Sequence, residues 1–202
     1  MYAIVEDNTI TQIITNPKAL TIGDVQYPSK IFGLWSEAEL QAIGIYTVTT
    51  DFTNFKDQNW YINTDQTFAF ADNVVTRSWG TATPKAHADS NAVDKNGDEL
   101  DPVQVIDGLK TTLIKNLKKN VANELSKTDW YITRNTEKST AIPSAITNHR
   151  DAVRTKQVEM ETLITNASDT PALETLYTFV NTGTEENPNM TRPLGVIPTL
   201  DI

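Results

Sequence analysis

Cysteine is absent from the 202 residues, which excludes disulfides, thiolate metal sites and cysteine nucleophiles together. Histidine occurs only at His87 and His149, far apart in sequence, so neither a zinc site nor a histidine-based acid–base pair is expected. Glycine is scarce, with 8 residues, and no GxxxxGK[ST] phosphate loop occurs. No apolar run approaches the ~20 residues of a bilayer crossing and the opening Met1–Ile10 carries no basic leader, so no membrane partner is expected. Bases are outnumbered, 17 against 26 acids, and a net charge of −9 repels phosphate backbones and argues against a nucleic-acid partner. No metal and no cofactor is expected.

What is present supports an α+β reading. Hydrophobic residues make up 39 % of the chain, enough for a packed core. Charge is uneven: residues 1–79 hold nine acids and four bases, 80–102 five and two, 103–180 nine and ten, and 181–202 three and one. This pattern predicts two parts with different surfaces, joined by a solvated connector.

Residues 1–79 read as a small domain of short strands, a β-meander with one short helix. Tyr2–Val5 and Thr9–Ile14 are β-rich and flank Glu6-Asp7-Asn8, the signature of an opening hairpin. Ser36-Glu37-Ala38-Glu39 is a capping box that starts a helix of about two turns, and Gly44 stops it. Ile45–Val48, Trp60–Ile62, Thr67–Ala71 and Val74–Trp79 follow as strands, Phe68 and Phe70 alternating with Thr67 and Ala69. Residues 80–102 have almost no large apolar side chain and read as an acidic flexible connector, with a hairpin about Asn96-Gly97.

Residues 103–180 read as a helical domain. Ile106, Leu109, Leu113, Leu117, Val121 and Leu125 recur every three or four positions, the stripe of one long amphipathic helix. Lys110, Lys115, Lys118 and Lys119 lie on its other faces, either as solvated surface or as a basic face steering an acidic partner. Pro143 opens a second helix with Ile146, Val153, Val158, Leu163 and Ile164, and Asp169-Thr170-Pro171 a third, short one. Two long helices joined by a dozen residues predict an antiparallel helical hairpin, whose thin core points to self-association or a partner. Residues 181–202 contain Pro188, Pro193 and Pro198 and read as an extended C-terminal arm. Its Leu194, Val196, Ile197, Leu200 and Ile202 are either a frayed end or a ribbon that docks on a neighbour.

Catalytic patterns are missing. Asp94, Asn96 and Asp98 have the spacing at which a calcium loop begins, yet Gly97 stands at the fourth position instead of the sixth. Glu159 and Glu161, and Glu185 with Glu186, imply no apolar pocket, and no serine occupies a nucleophile elbow. A non-enzymatic protein is expected.

The segment Leu125-Ser126-Lys127-Thr128-Asp129-Trp130 continues through Arg134 and Pro143 to His149-Arg150 and Arg154. It resembles the C-terminal motif of bacteriophage tail assembly chaperones and tail-fibre assembly proteins. There a helix ends in Leu-x-x-Thr-Asp-Trp, a proline opens the next helix, and an aromatic–Arg pair precedes another Arg one turn later. His149 stands in place of the aromatic. The opening MYAIVEDNTI and Trp35–Leu40 with Ala42–Tyr46 are similar to the front ends of small phage tail proteins.

The resemblance implies a tail protein, acting in the virion tail or the host cytoplasm during assembly, with a tail-fibre, baseplate or other tail component as partner. From the residues themselves, Thr128 or Asp129 caps the chain, and Trp130 has the area to wedge between helices. Arg150 and Arg154, four apart, could clamp Asp129 or Glu124. Whether Trp130 and the arginines fix the helix pair or meet a partner stays open at this level. A second class of function is a carbohydrate-binding receptor module, with Trp60, Tyr61 and Trp79 as stacking platforms.

Overall fold

A computed structural model describes residues 1–200, and Ile202 of the predicted arm lies outside the described residues. The chain is mixed α+β and divides into two compact units, Met1–Thr83 and the residues from Pro84 onward.

In the first unit β1 (Tyr2–Glu6) and β2 (Thr9–Ile14) form the expected hairpin, with Asp7 and Asn8 at φ 49° and 61° in its turn. A second hairpin joins β3 (Leu20–Ile22) to β4 (Val25–Tyr27). Two helices follow where one was expected, the single turn α1 (Ile31–Leu34) and α2 (Glu37–Gln41). The capping box of α2 is formed: the Ser36 amide donates to Glu39 Oε2 at 2.7 Å, and the Glu39 amide to Ser36 Oγ at 3.4 Å. After α2, Gly44 sits at φ 82°, and a Cβ there would lie 2.8 Å from the Val5 carbonyl oxygen, so the position demands glycine.

Next come β5 (Ile45–Thr50), β6 (Tyr61–Ile62), β7 (Thr67–Ala71) and β8 (Val74–Ser78). The main sheet has five strands in the order β2-β1-β5-β8-β7. It is not a meander, because β5 and β8 run parallel. Residues 51–66 leave the sheet before β7 and β8 enter it as an antiparallel pair, with β8 beside β5 in the same direction and β7 on the outer side of β8. Side-chain alternation separates two cores. Ala3, Val5 and Val75, with Tyr46, Val48 and Phe70, fill the inside of the curled sheet. Ile31, Leu40 and Ile45, with Tyr2, Tyr27 and Phe32, lie under the helices and the second hairpin.

β9 (Thr83–Pro84) marks the boundary. In the second unit β10 (Ser90–Asn91) pairs antiparallel with β11 (Val105–Ile106). The helices are α3 (Leu109–Ser126), α4 (Asp129–Lys138), α5 (Ser144–Asn166) and α6 (Thr170–Tyr177). A last hairpin joins β12 (Val180–Asn181) to β13 (Met190–Thr191).

From Pro84 onward the acidic connector is therefore part of this unit, and its polar groups find partners there. Asp89 accepts from the Gly108 amide at 2.8 Å and from Thr111 Oγ1 at 2.9 Å, and Thr170 Oγ1 donates to the Lys85 carbonyl at 2.6 Å. Its predicted turn is present, with Gly97 at φ 91° and the Asp94 carboxylate accepting from the amides of Asn96 and Asp98. Those hydrogen bonds hold the Asp94 carboxyl below its ordinary range.

Helix α3 starts later than its stripe predicted. Ile106 belongs to β11, because Gly108 packs so close to the Ala88 carbonyl that only a residue without Cβ fits. Helices α3 and α5 run antiparallel: Lys110 Nζ donates to the Thr165 carbonyl at 2.8 Å, Lys118 lies 3.8 Å from Glu161, and Glu124 3.2 Å from His149. Leu117 and Val121 of α3 and Ile146, Val153, Met160 and Ile164 of α5 are buried. Val158 and Leu163, expected in the stripe, are exposed; the steps of seven and four from Val153 put Met160 inward together with the expected Ile164.

The predicted arm folds back on its own unit. Leu194 is fully buried, and its amide donates to the Leu176 carbonyl at 3.0 Å. The Arg192 guanidinium lies 5.4 Å from the Tyr177 ring centre and 5.2 Å from that of Phe179. Ile197 and Leu200 are half-buried and Val196 is exposed. Burial of Leu194 removes it from any surface offered to a neighbour. Among the described residues no helix is long and apolar enough to cross a membrane.

Candidate functional site

The motif residues meet where α3 ends and α5 begins. The break between α3 and α4 is set at Thr128, whose φ of −118° and ψ of 5° leave the helix. Thr128 is fully buried, so its hydroxyl needs partners. It donates to the Leu125 carbonyl at 3.0 Å and accepts from Arg150 Nη1 at 2.7 Å. The same nitrogen donates to the Leu125 carbonyl at 2.7 Å and to Asp129 Oδ1 at 2.8 Å. One arginine thus holds the last turn of α3, the corner and the first residue of α4.

Beside it lies a second polar group around Glu124, which the sequence offered only as the alternative partner of the arginines. Glu124 is buried on the inward face of α3, against His149 and next to Lys127. A hydrogen bond from Lys127 holds its carboxyl below the ordinary range; burial opposes this, while the Leu200 amide and the charges of Lys127 and His149 add to it. His149 Nε2 approaches Glu124 Oε1 to 3.2 Å without hydrogen-bond geometry. The available signal was position: Glu124 follows Leu117 and Val121 on the stripe and precedes Leu125.

The corner aims α4 outward. Tyr131 and Asn135 form its inner side, and Asn135 Nδ2 donates to the Thr140 carbonyl at 2.8 Å. Ser139 closes the helix in the left-handed region at φ 52°. Trp130, Thr133, Arg134, Glu137 and Lys138 line a groove of about 450 Å³ on the outer side. Trp130 is 53 % exposed, its ring 4.5 Å from that of Tyr131 and 5.4 Å from the Arg134 guanidinium carbon. It does not wedge between helices, because residue 130 falls on the face of α4 away from Thr128 and Tyr131.

Of the remaining predicted residues, Pro143 is the N-cap of α5. Arg154 is exposed, 3.3 Å from Asp151 on its own helix, and takes no part in the corner. Trp60 and Tyr61 are buried, so neither offers a face to a sugar. Trp79 packs on Phe55, Phe52 and the Arg77 guanidinium at 4.7, 6.0 and 4.7 Å. Among the described residues no group of three His, Asp or Glu side chains could hold a metal ion.

Chemically, the corner is a closed set of donors and acceptors inside the unit, whereas the outer face of α4 presents tryptophan and arginine to solvent, the residue types that dominate binding hot spots. No protein-family model, curated protein or solved structure matches the chain.

Proposed function

We propose that this chain is a non-enzymatic bacteriophage tail protein, which acts in tail or tail-fibre assembly by binding a fibre, baseplate or tail component through the outer face of α4. It works in the virion tail or in the host cytoplasm during assembly, and uses buried area instead of bond chemistry. The observation that carries this reading is the division of the Thr128–Arg154 motif. Thr128, Asp129 and Arg150 are spent internally, while Trp130 and Arg134 are held outward on a helix that buries none of its own residues.

Helix α4 has 10 residues, short of the roughly 12–15 at which an isolated helix becomes marginal in water. The corner and the cap at Ser139 fix it in advance, so a partner does not have to order it on binding. The test is co-expression with the other products of a phage tail operon, followed by affinity purification. The wild-type chain retains a tail component, and Trp130→Ala with Arg134→Ala loses it while the circular dichroism spectrum stays unchanged. Equal retention by the variant, or turnover of a small molecule by the pure chain, would refute the reading.

A further inference from the structure

The hairpin between Ser90 and Ile106 is built against the usual rule for a solvated loop. Val93, Val103, Val105 and Ile106 are 56–60 % exposed. All four are β-branched, and such side chains stabilise a strand when something packs on them. Here nothing does, and a two-stranded ribbon by itself is marginal in water. The ribbon is anchored at its base, through Asp89 on Gly108 and Thr111, through the Leu109 and Lys110 amides on the Ala86 and His87 carbonyls, and through Asp107 on Lys115.

Pairing leaves one edge open. The Ala92 amide donates to the Gln104 carbonyl and the Asp94 amide to the Asp98 carbonyl, so Ala92 and Asp94 bond inward. Strand alternation turns the amides and carbonyls of Asn91 and Val93 to the opposite edge. Val93 and Val105 share a face, since Val93 pairs with Glu99 and Asn91 with Val105, and the Asn91 side chain reaches Glu99 Oε1 across that face at 2.9 Å.

Charge narrows the choice of occupant. Residues 89–107 hold six acids and one base. Asp89, Asp94 and Glu99 are engaged by local hydrogen bonds and Asp107 by Lys115, which leaves Asp98 and Asp101 as the uncompensated rim of the valine patch. A second copy would set this rim against itself, and like charges at close range suppress pairing.

We propose that this hairpin is a docking edge for an extended, basic segment of a partner protein. The segment adds as a strand beside Asn91 and Val93, covers the valines with its own aliphatic side chains, and places lysines or arginines against Asp98 and Asp101. This is strand addition, in which main-chain pairing gives affinity and alternate side chains give specificity. It is independent of the α4 face: loss of tail-component binding through Trp130 leaves it standing.

The test uses the full chain, labelled at valine and isoleucine methyl groups. It is titrated with an acetylated peptide of alternating lysine and valine, and separately with the glutamate–valine counterpart. The lysine peptide is expected to bind saturably, with shifts confined to Val93, Val103, Val105 and Ile106. Affinity should fall at least about tenfold between about 0.05 M and about 0.5 M salt. Asp98→Lys with Asp101→Lys, both exposed positions, should weaken it about tenfold or more without changing the circular dichroism spectrum. Absent binding, equal binding of the glutamate peptide, or shifts spread over other methyl groups would overturn the proposal. So would concentration-dependent dimerisation that moves the same four methyl groups, since the occupant would then be a second copy.

Discussion

Arg150→Met tests the corner most directly, because methionine keeps much of the arginine stem and removes only the head. Three hydrogen bonds are lost, all from Nη1: to the Leu125 carbonyl, Thr128 Oγ1 and Asp129 Oδ1 at 2.7–2.8 Å. Their weights differ. The Leu125 carbonyl keeps the Thr128 hydroxyl as a donor at 3.0 Å, so neither buried group is orphaned and the full desolvation penalty does not apply. The Asp129 side chain is 59 % exposed and re-solvates, so its ion pair contributes only about 0–1 kcal/mol. What remains is the loss of charge-assisted bonds to two buried acceptors, at about 1.5–3 kcal/mol each before correction for one nitrogen sharing two hydrogens among three partners. The expected destabilisation is about 2–4 kcal/mol. Urea unfolding followed at 222 nm reports the second unit, which holds the four longest helices, and Asp129→Asn serves as the contrast at about 0–1 kcal/mol. If Arg150→Met costs under about 1 kcal/mol, or no more than Asp129→Asn, the corner is not what fixes the α3–α4 junction.

Trp130→Ala should cost about 1 kcal/mol or less in the same assay, since only the Tyr131 and Arg134 contacts are lost; about 3 kcal/mol or more would place the ring in the core. Leu194→Ala should destabilise the second unit by about 2–5 kcal/mol in thermal melts, and an unchanged midpoint would show that the C-terminal segment is no part of its core. The lowered Glu124 carboxyl contributes stability above the unfolded carboxylate value of about 4.3 and loses it as pH falls through the folded value, because the unfolded chain binds the proton first. Glu124→Gln should therefore make the acid limb of the stability–pH curve shallower between about pH 5 and pH 3, and parallel limbs would exclude a role for this carboxylate.

Local signals in the sequence carried much of the fold. The opening hairpin, the Ser36–Glu39 capping box and the start of α5 at Pro143 all rest on neighbours within four residues, where sequence spacing and spatial spacing coincide. The parallel β5–β8 pair was out of reach, because it depends on where a chain returns after more than twenty residues. Helix α4 was missed for another reason: Trp130, Tyr131 and Ile132 in succession show no 3.6-residue period. The connector was misjudged from composition. Polar residues there are not idle solvent ligands but caps for neighbouring amides, a role that depends on Asp89 reaching a glycine nineteen positions away. At the site, residue type offered an arginine clamp on Asp129 or Glu124; Arg150 makes it on Asp129, while Arg154, four residues on, takes no part. The orientation of Trp130 did not follow from residue type, because it turns on one corner residue leaving the helix.

On the proposed reading, stability and binding fall to residues that are adjacent in the chain. Thr128 and Asp129 face the arginine of α5, and Trp130, the next residue, faces water. A tryptophan that contributes little to folding yet stays in solvent leaves a large apolar area uncovered, a standing cost in solubility that a purely structural motif would not need. The corner explains why it is tolerated. Because Arg150 bonds to both sides of the break, the outward angle of α4 is set by the same contacts that stabilise the unit. The Trp130–Arg134 face is therefore presented in one orientation instead of many. A flexible junction would expose the same side chains but spend their binding energy on ordering them. Damage to the corner should thus weaken partner binding even though Arg150 itself is buried, whereas damage to Trp130 should weaken binding alone.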